Sequence, residues 1–250
     1  MMCLRWLYVM ITIACSLLTT SAQQYTGISG LLHVPSAEMH REGDARIGGQ
    51  FMNRDMTPGR IFQLNGKKYH TFDYYLAITP FKWVEASYVC TAFLRNSPNG
   101  KRRFKEKDRY FSLKVNPLTE GKYWPAIAFG CNDWFDSRSG VDGNGEGGEL
   151  YFANLYVAAT KHFHIGGNEV GTHLAYRHFK RDYNHRWNGV VGGLTIRPAS
   201  IQNLRAIVEW TGNEINVGAD YNLWHHWAVQ ASVWNGKHFF GGVCYYLNLF

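Results

Sequence analysis

The amino-acid sequence predicts an all-β fold, a transmembrane antiparallel up-and-down β-barrel of about 12 strands, within a range of roughly 10–14. Three observations lead to this fold class. Apolar and polar residues alternate along many segments, long and short links alternate between these segments, and no apolar run after residue 22 is as long as a membrane-spanning helix. We expect the barrel to occupy residues 44–250, after a signal peptide at 1–22 and an N-terminal segment at 23–43.

The alternation of residue types is clearest between Ile215 and Leu223. There the odd positions are Ile, Val, Ala, Tyr and Leu, whereas the even positions are Asn, Gly, Asp and Asn. Successive side chains of a strand point to opposite faces, so this period of two indicates strands that lie between two different environments. A soluble β-sandwich shows the same alternation, and a second observation is needed to separate the two architectures.

The lengths of the predicted strands fit a membrane barrel. Most of them have the length of about 9–11 residues that crosses a bilayer at the tilt of a barrel strand. The predicted strands are 44–52, 69–79, 82–94, 109–116, 123–132, 150–160, 163–178, 188–197, 203–211, 214–223, 226–234 and 238–249.

The links between the predicted strands sort by length. The first, third and fifth links (53–68, 95–108 and 133–149) are long, whereas short turns are expected around Pro80, Pro117–Lys122, Lys161 and Pro198. Bacterial barrels have short periplasmic turns and longer outer loops. A sandwich has no reason to sort its loops in this way, and the pattern therefore favours the barrel.

The first 22 residues have the organisation of a secretory signal peptide. Arg5 is the only charge in this stretch, an apolar run follows from Trp6 to Ala14, and small residues lead up to Ala22. Cleavage after Ala22 and the predicted barrel together place the mature chain in the bacterial outer membrane. Two alternatives stay open: an uncleaved membrane anchor, for which the apolar run is short, and a lipoprotein that is lipidated at Cys15.

The N-terminal segment, residues 23–43, does not alternate in the way that the predicted strands do. Its Pro35–Met39 stretch predicts a Pro-Ser turn that enters a short helical segment. Two interpretations are open: a plug or gate in the barrel mouth, or an ordered cap that packs under the barrel. Small barrels commonly fill their interiors, so either arrangement is physically reasonable.

Polar positions of the predicted strands are expected to face the lumen. Both signs of charge are present, and a buried charge is costly unless it is paired, so we expect a mutually neutralising network in a narrow interior. The alternative is a polar track for sugars. Pairs of Gly within strands, such as Gly192-Gly193, mark bends or close backbone approach, with a substrate passage as the alternative. The predicted lumen network is Arg46, Gln50, Asp73, Glu85, Lys114, Asn154, Arg177, Arg205, Glu209 and Asp220.

The third link and its edges are strongly basic. The formal net charge of the chain is +7, which suits contact with anionic lipid headgroups or acidic glycans. On the outer face, this basic link could bind lipopolysaccharide phosphate through charge-assisted hydrogen bonds, although runs of charge are more often simply solvated. Its basic residues are Arg95, Lys101, Arg102, Arg103, Lys105 and Lys107.

The sequence predicts no cofactor, no metal site and no catalytic residues. Cys90, Cys131 and Cys244 are expected to be free thiols, because they form neither a CxxC pair nor a disulfide framework. His162 and His164 are two residues apart, but no Cys or carboxylate follows at zinc spacing. The GxSxG motif of a hydrolase is missing as well. We therefore expect a protein that is not an enzyme.

Several short blocks are spread over nearly all of the chain after the signal peptide. They are Gly30–Ala37, Glu42–Gly48, Lys122–Gly130, Gly192–Leu194, Arg197–Pro198 and Ile215–Tyr221. In order and spacing, these blocks resemble those of YjbH-type outer-membrane proteins. The resemblance implies an outer-membrane barrel linked with exopolysaccharide production or export, and it implies no catalytic residues.

Three functions follow from these observations. The first is a non-catalytic outer-membrane barrel that assists export or surface retention of an exopolysaccharide. The others are an outer-membrane enzyme that acts on lipid or glycan, and a soluble periplasmic β-sandwich that binds glycans. The expected partners are outer-membrane lipid and lipopolysaccharide, together with polysaccharide and export-machinery proteins, and no nucleic acid is expected.

Overall fold

A computed structural model of the chain describes residues 23–57, 63–64, 67–68, 70–96, 102–134, 150–224 and 226–250. For residues 63–64, 67–68, 93–96 and 102–107 the description covers the backbone. The predicted signal peptide at 1–22, including the alternative lipidation site Cys15, lies outside the described residues.

The described residues form strands almost throughout, interrupted by two short 3-10 helices at Arg54–Met56 and Asp182–Trp187. The strands are β1 (Asp44–Met52), β2 (Gln63–Leu64), β3 (Lys67–Lys68), β4 (Thr71–Phe81), β5 (Val84–Asn96), β6 (Arg102–Leu118), β7 (Ala126–Asn132), β8 (Asn154–Ile165), β9 (Asn168–Phe179), β10 (Gly189–Arg197), β11 (Leu204–Trp210), β12 (Ile215–Leu223), β13 (Trp227–Trp234) and β14 (His238–Asn248).

All of these strands except β2 and β3 belong to one closed barrel, in which each strand is antiparallel to its neighbours. The barrel closes between β1 and β14, where Asp44 is opposite Asn248 and Met52 is opposite Phe240. The predicted all-β up-and-down barrel is thereby confirmed. The sandwich alternative is wrong, because a sandwich consists of two separate sheets and here a single sheet joins its own edge.

The outer face of the barrel is apolar and the inner face is polar. Along β4, buried and exposed residues alternate strictly over its first nine positions. Leu76, on the outward face, is 57% exposed, whereas Asp73, on the inward face, is 1% exposed. A polar interior inside an apolar surface is the reverse of a soluble protein, and it is the pattern of a barrel that spans a bilayer.

Two predicted links differ from the structure. The link at 95–108 is mostly strand, because β5 extends to Asn96 and β6 begins at Arg102. The polar composition of this stretch suggested a loop, but the two strands satisfy each other's backbone groups. The turn expected near Lys161 is also wrong, since β8 continues to Ile165 and the chain turns at Gly166-Gly167. Both glycines have positive φ values, 59° and 82°, which favour glycine over other residues.

The links of the barrel strands divide between its two ends. The end that carries the links 82–83, 119–125, 166–167, 198–203 and 224–226 is called the short-turn end below. The chain leaves β1 and enters β4, and leaves β7 and enters β8, at the opposite end, which is called the long-link end. From the general rule for bacterial barrels, we expect the short-turn end to face the periplasm.

The short helix predicted at Pro35–Met39 does not form in the structure. Residues 23–43 contain turns and two isolated bridges, Gln23↔Ser29 and Gly30↔Pro35. The backbone N–H of Ala37 is bonded to Thr160 of the barrel wall at 2.9 Å, so this stretch is attached to the wall as an irregular segment.

No helix among the described residues is long and apolar enough to cross a membrane.

Candidate functional site: the N-terminal segment and the lumen

The N-terminal segment, residues 23–43, is largely buried and contacts inward-facing side chains of several barrel strands. The contacts include Glu85 on β5, Thr160 on β8, Arg177 on β9 and Glu209 on β11. These strands lie on different sides of the barrel. The segment therefore lies across the lumen and contacts more than one side of its wall.

Glu209 holds the middle of the segment by its backbone. Its carboxylate accepts the N–H groups of three successive residues: Leu32 at 3.1 Å, His33 at 2.9 Å and Val34 at 3.0 Å. The side chain of Asn216 donates a further bond at 2.8 Å. Successive N–H groups that converge on one point form a nest for an anion. The charge of Glu209 is thus stabilised by peptide dipoles of the segment.

Glu85 holds the segment together with two cations of the wall. Arg46 and Lys114 lie 3.3 Å and 3.4 Å from its carboxylate oxygens. Ser29 of the segment donates to the same carboxylate through its N–H at 3.1 Å and its hydroxyl at 2.6 Å. Lys114 also donates to the carbonyl oxygen of Ser29 at 2.9 Å. Because each partner is fully buried, the pairing compensates for the loss of hydration that burial imposes.

Glu38 is the centre of a chain of alternating charges that leads to the short-turn end. Arg205 donates to both of its oxygens, at 3.0 Å and 2.9 Å, and His162 Nε2 lies 3.3 Å from Oε1. The opposite nitrogen of His162 lies 2.7 Å from Glu120, which also pairs with Lys161 at 2.9 Å.

The pKa of Glu38 reflects two opposing effects. Burial by itself raises the pKa of this carboxyl group. Arg205, followed by the hydrogen bond to His162, outweighs burial and holds the pKa of Glu38 well below its ordinary value. At the short-turn end, burial likewise opposes ionisation of Glu120, but its bonds to His162 and Lys161 lower its pKa. The side chains of Glu38 and Glu120 are therefore both anions at neutral pH.

Two glycines give the segment room at the wall. A Cβ atom on Gly193 of β10 would lie 2.5 Å from Leu31 Cδ1 and 2.7 Å from the carbonyl oxygen of Val208. A Cβ atom on Gly218 of β12 would lie 3.0 Å from Leu32 Cδ1. For the Gly192-Gly193 pair, the sequence predicts a bend or a close backbone approach, with a substrate passage as the alternative. In the structure, Leu31 of the segment approaches the backbone at Gly193 closely.

The long-link end of the lumen is closed by aromatic side chains. Tyr25 of the segment packs on Phe152 with ring centroids 5.5 Å apart, and His33 stacks on Trp234 at 6.1 Å. Burial raises the pKa of Tyr25 to about 12. The cavity between these rings has a volume of about 30 Å³. That is the space of about one water molecule.

The residues predicted for the lumen network are all buried, but the wall alone does not join them into one network. Arg46, Glu85 and Lys114 form one group, and Arg205 with Asp220 forms another. The remaining members bond to backbone groups. Gln50 donates to the carbonyl oxygens of Gln23 and Gln24, and Asn154 donates to that of Phe152. Arg177 donates to the carbonyl oxygens of Trp187, His33 and Thr211, and Glu209 accepts from the N–H groups of residues 32–34.

Asp73 is the exception within the predicted network. It is buried, and neither oxygen of its carboxylate has a hydrogen-bond partner among the described residues. Among the described residues, therefore, the mutual neutralisation expected from the sequence is not seen at Asp73.

Sequence reasoning did not single out Glu38, Ser29 or Glu120. Glu38 and Ser29 lie where no period of two exists, so no pattern assigned their side chains to the lumen. His162 was singled out as a possible metal ligand, and its two carboxylate partners come from distant parts of the chain. A positional signal for these residues is missing from the sequence.

The predicted basic link can be placed in part. Lys101 lies outside the described residues. The backbone of Arg95 is on β5, opposite Arg103 of β6, near the long-link end of these two strands. Arg102, Lys105 and Lys107 also belong to β6.

Glu38, His162 and His173 lie close enough to one another to hold a metal ion, with ligand atoms within 4.8 Å. The chemistry of the three groups does not favour this use. Both nitrogens of His162 face carboxylates, and both nitrogens of His173 face the hydroxyls of Thr160 and Thr195 at 3.1 Å. Arg205 already neutralises Glu38. The group fits an ion-pair chain better than a metal centre.

Comparison with known proteins yields one family and several solved structures. Residues 22–176 match the model of the YjbH family, described as "Exopolysaccharide biosynthesis protein YbjH". No curated protein matches the chain significantly.

Among solved structures, outer membrane phospholipase A from Escherichia coli is 12% identical with a TM-score of 0.36, over 84% of this chain and 98% of that chain. The calcium-bound phospholipase dimer from Salmonella typhi is 14% identical with a TM-score of 0.37, over 83% and 91%. OprB from Pseudomonas putida is 8% identical with a TM-score of 0.32, over 82% and 91%. At these TM-scores the similarities carry no argument about function.

Proposed function

Because the chain belongs to the YjbH family, whose model is described as an exopolysaccharide biosynthesis protein, we propose that it is an outer-membrane β-barrel that assists export or surface retention of an exopolysaccharide. The apolar outer face supports the membrane location, since such a surface is stable only against lipid or another apolar partner. Outer-membrane lipid and lipopolysaccharide are the partners of this face, and polysaccharide and export-machinery proteins are the functional partners.

The observation that carries the proposal is the binding of the N-terminal segment inside the lumen. Glu85 on β5 and Glu209 on β11 each accept bonds from the backbone of the segment. We infer that the segment is a plug. While it stays in place, a polysaccharide does not pass along the lumen, and the barrel acts on the glycan at its two ends.

The role is non-catalytic in this proposal. Glu38, Glu85 and Glu209, the carboxylates that hold the segment, are already engaged in hydrogen bonds with it or with cations. Groups committed in this way are poorly placed to exchange protons with a substrate. Purified protein in detergent is expected to show no turnover on panels of phospholipids and polysaccharides, and turnover that follows the protein through purification would contradict the non-catalytic role.

Deletion of the gene in the cell that encodes it tests the function. We expect less polysaccharide in the medium if the barrel assists export, and more in the medium at the expense of the cell-bound fraction if it assists retention. Complementation with the full-length gene should restore both fractions. Unchanged amounts in both fractions after deletion would overturn the proposed function.

The membrane location and the plug have their own tests. The protein is expected in the outer-membrane fraction and should migrate differently on a gel with and without boiling. In planar bilayers, the full-length barrel should conduct little, and a variant that lacks residues 24–38 should conduct ions. A full-length protein with the same conductance as the deletion variant would contradict the plug.

A further inference from the structure

A second cavity opens at the short-turn end, next to contacts that hold the plug in the lumen. Its volume is about 310 Å³, which is near the lower end of the range of roughly 300–1,000 Å³ found for small-molecule sites. We call it the rim pocket. It is lined by Ala37, Glu38 and Met39 of the N-terminal segment and by Lys82, Asn116, Thr119, Glu120, Ala126, Thr160, His162, Glu169 and Arg197.

Asn116 is the polar group of the rim pocket that lacks a partner. Its side chain is 3% exposed, and its Nδ2 donates to the carbonyl oxygen of Ala37 at 2.9 Å. Its Oδ1 has no hydrogen-bond partner among the described residues. A buried acceptor without a partner costs about 1–3 kcal/mol in general, so this oxygen calls for a donor from outside the chain.

Apart from Lys82, which is exposed to solvent, the charges around the rim pocket are already paired. Glu120 is bonded to Lys161 at 2.9 Å, and Glu169 to Arg197 at 3.3 Å. Glu38 is neutralised deeper in the lumen by its bonds to Arg205. A free ion would therefore have to compete with these pairs, whereas a neutral ligand can bind to the edges of the carboxylates and guanidinium that remain accessible.

A ligand rich in hydroxyl groups satisfies these conditions. Each hydroxyl donates one bond and accepts others, so it can donate to Asn116 Oδ1 and to carboxylate edges while it accepts from Arg197. We propose that the rim pocket binds one neutral glycosyl unit of a polysaccharide at the short-turn end of the barrel. This inference rests on the proposed function. It adds the site and the chemical class of the unit that is bound.

Because Ala37, Glu38 and Met39 form one wall of the pocket, a bound sugar contacts the plug directly. The pocket thus connects recognition of the glycan on the periplasmic side to the segment that fills the lumen. A sugar that binds here stabilises the plugged state, since any ligand that binds one state favours that state.

Saturation-transfer NMR on the detergent-solubilised full chain tests the site. The probes are glucose, galactose, mannose, N-acetylglucosamine and their β-1,4-linked disaccharides. Thr119 lies at the exposed rim of the pocket, so Thr119→Trp should block the entrance without disturbing the buried contacts. Ser200→Trp, at another exposed short turn of the same end, is the matched control.

We expect a saturation-transfer signal from at least one probe with the unmodified protein and with Ser200→Trp. With Thr119→Trp the affinity should fall by about tenfold or more. Asn116→Asp, which keeps the shape of the side chain, should also weaken binding because it loses the bond to Ala37 and adds a charge.

Two results would overturn the inference: no signal from any probe, or the same affinity in Thr119→Trp as in the control. Either result leaves the proposed function standing if deletion of the gene still changes the amounts of surface and released polysaccharide. If deletion of the gene left the amounts of polysaccharide unchanged while the purified protein still bound sugar, the proposed function would be contradicted and the sugar site would be supported.

Discussion

Arg205 Nη1 donates to both carboxylate oxygens of Glu38, at 3.0 Å and 2.9 Å, and so joins strand β11 to the N-terminal segment. The same guanidinium binds Asp220 of β12 through Nε at 2.8 Å. One cation thus neutralises two buried carboxylates, one from the wall and one from the N-terminal segment. We expect the attachment of the segment to depend on this shared charge.

Arg205→Met is expected to destabilise the barrel strongly. It leaves Asp220 and Glu38 without their common cation, and loss of one partner from a buried ion pair costs roughly 3–5 kcal/mol. The measurement is the free energy of unfolding in urea, for protein refolded into lipid vesicles. Arg54→Met is the control, because Arg54 is about half exposed and its loss should change little. Equal stability of the two variants would show that the Arg205 bonds do not contribute.

Acid is expected to loosen the plug through Glu38. The pKa of Glu38 is lowered in the folded protein, mainly because Arg205 and His162 outweigh the opposing effect of burial. Its contribution to stability is therefore complete above the ordinary glutamate pKa of 4.5 and is lost as the pH falls through the lowered value.

Protection of the segment against protease, measured from pH 7 down to the acid range, tests this dependence. In Glu38→Gln the part of the loss that occurs below the ordinary glutamate pKa should be smaller. A variant whose profile has the same shape as that of the unmodified protein would contradict the role of Glu38.

Glu209→Gln is expected to free the middle of the plug. The N–H groups of Leu32, His33 and Val34 all reach Oε2, and in a glutamine the one remaining acceptor oxygen there is uncharged. Its amide group would replace Oε1 and face the Asn216 amide, which now donates to that oxygen. Bonds to a charged acceptor contribute about 1.5–3 kcal/mol each in general, so several are weakened together. Hydrogen exchange at these three amides should accelerate, whereas exchange within β4 stays slow. Unchanged protection at residues 32–34 would mean that Glu209 does not hold them.

Charge on the outer face should destabilise the barrel according to depth. Leu76 lies in the middle of β4 and is exposed on the apolar surface, whereas Ile165 is the last residue of β8. Leu76→Arg is expected to cost about 2–4 kcal/mol in a bilayer, and Ile165→Arg about 0–1 kcal/mol. The free energy of unfolding from vesicles provides the comparison. A similar cost at both positions would contradict the membrane-spanning arrangement.

Much of the barrel could be predicted, because a strand in a membrane wall has two different faces. The strand predicted at 44–52 agrees with β1 at both ends, and the strand predicted at 214–223 begins one residue before β12. The prediction was wrong at two places because polar residues interrupt the alternation there. The basic residues near Arg103 suggested a loop, and Lys161 suggested a turn. In both places the ladder of backbone bonds to the neighbouring strand continued past the polar residues.

The amino-acid sequence by itself determined the class of fold, the inward position of the charged residues and the membership of a family, because alternation and short motifs are local properties of the chain. Only the tertiary structure decided which charges meet. Glu38 and Arg205 are 167 positions apart, and Glu209 binds backbone groups that carry no sequence signal at all. Contacts of this kind depend on closure of the barrel around the segment, which places distant residues within hydrogen-bond reach.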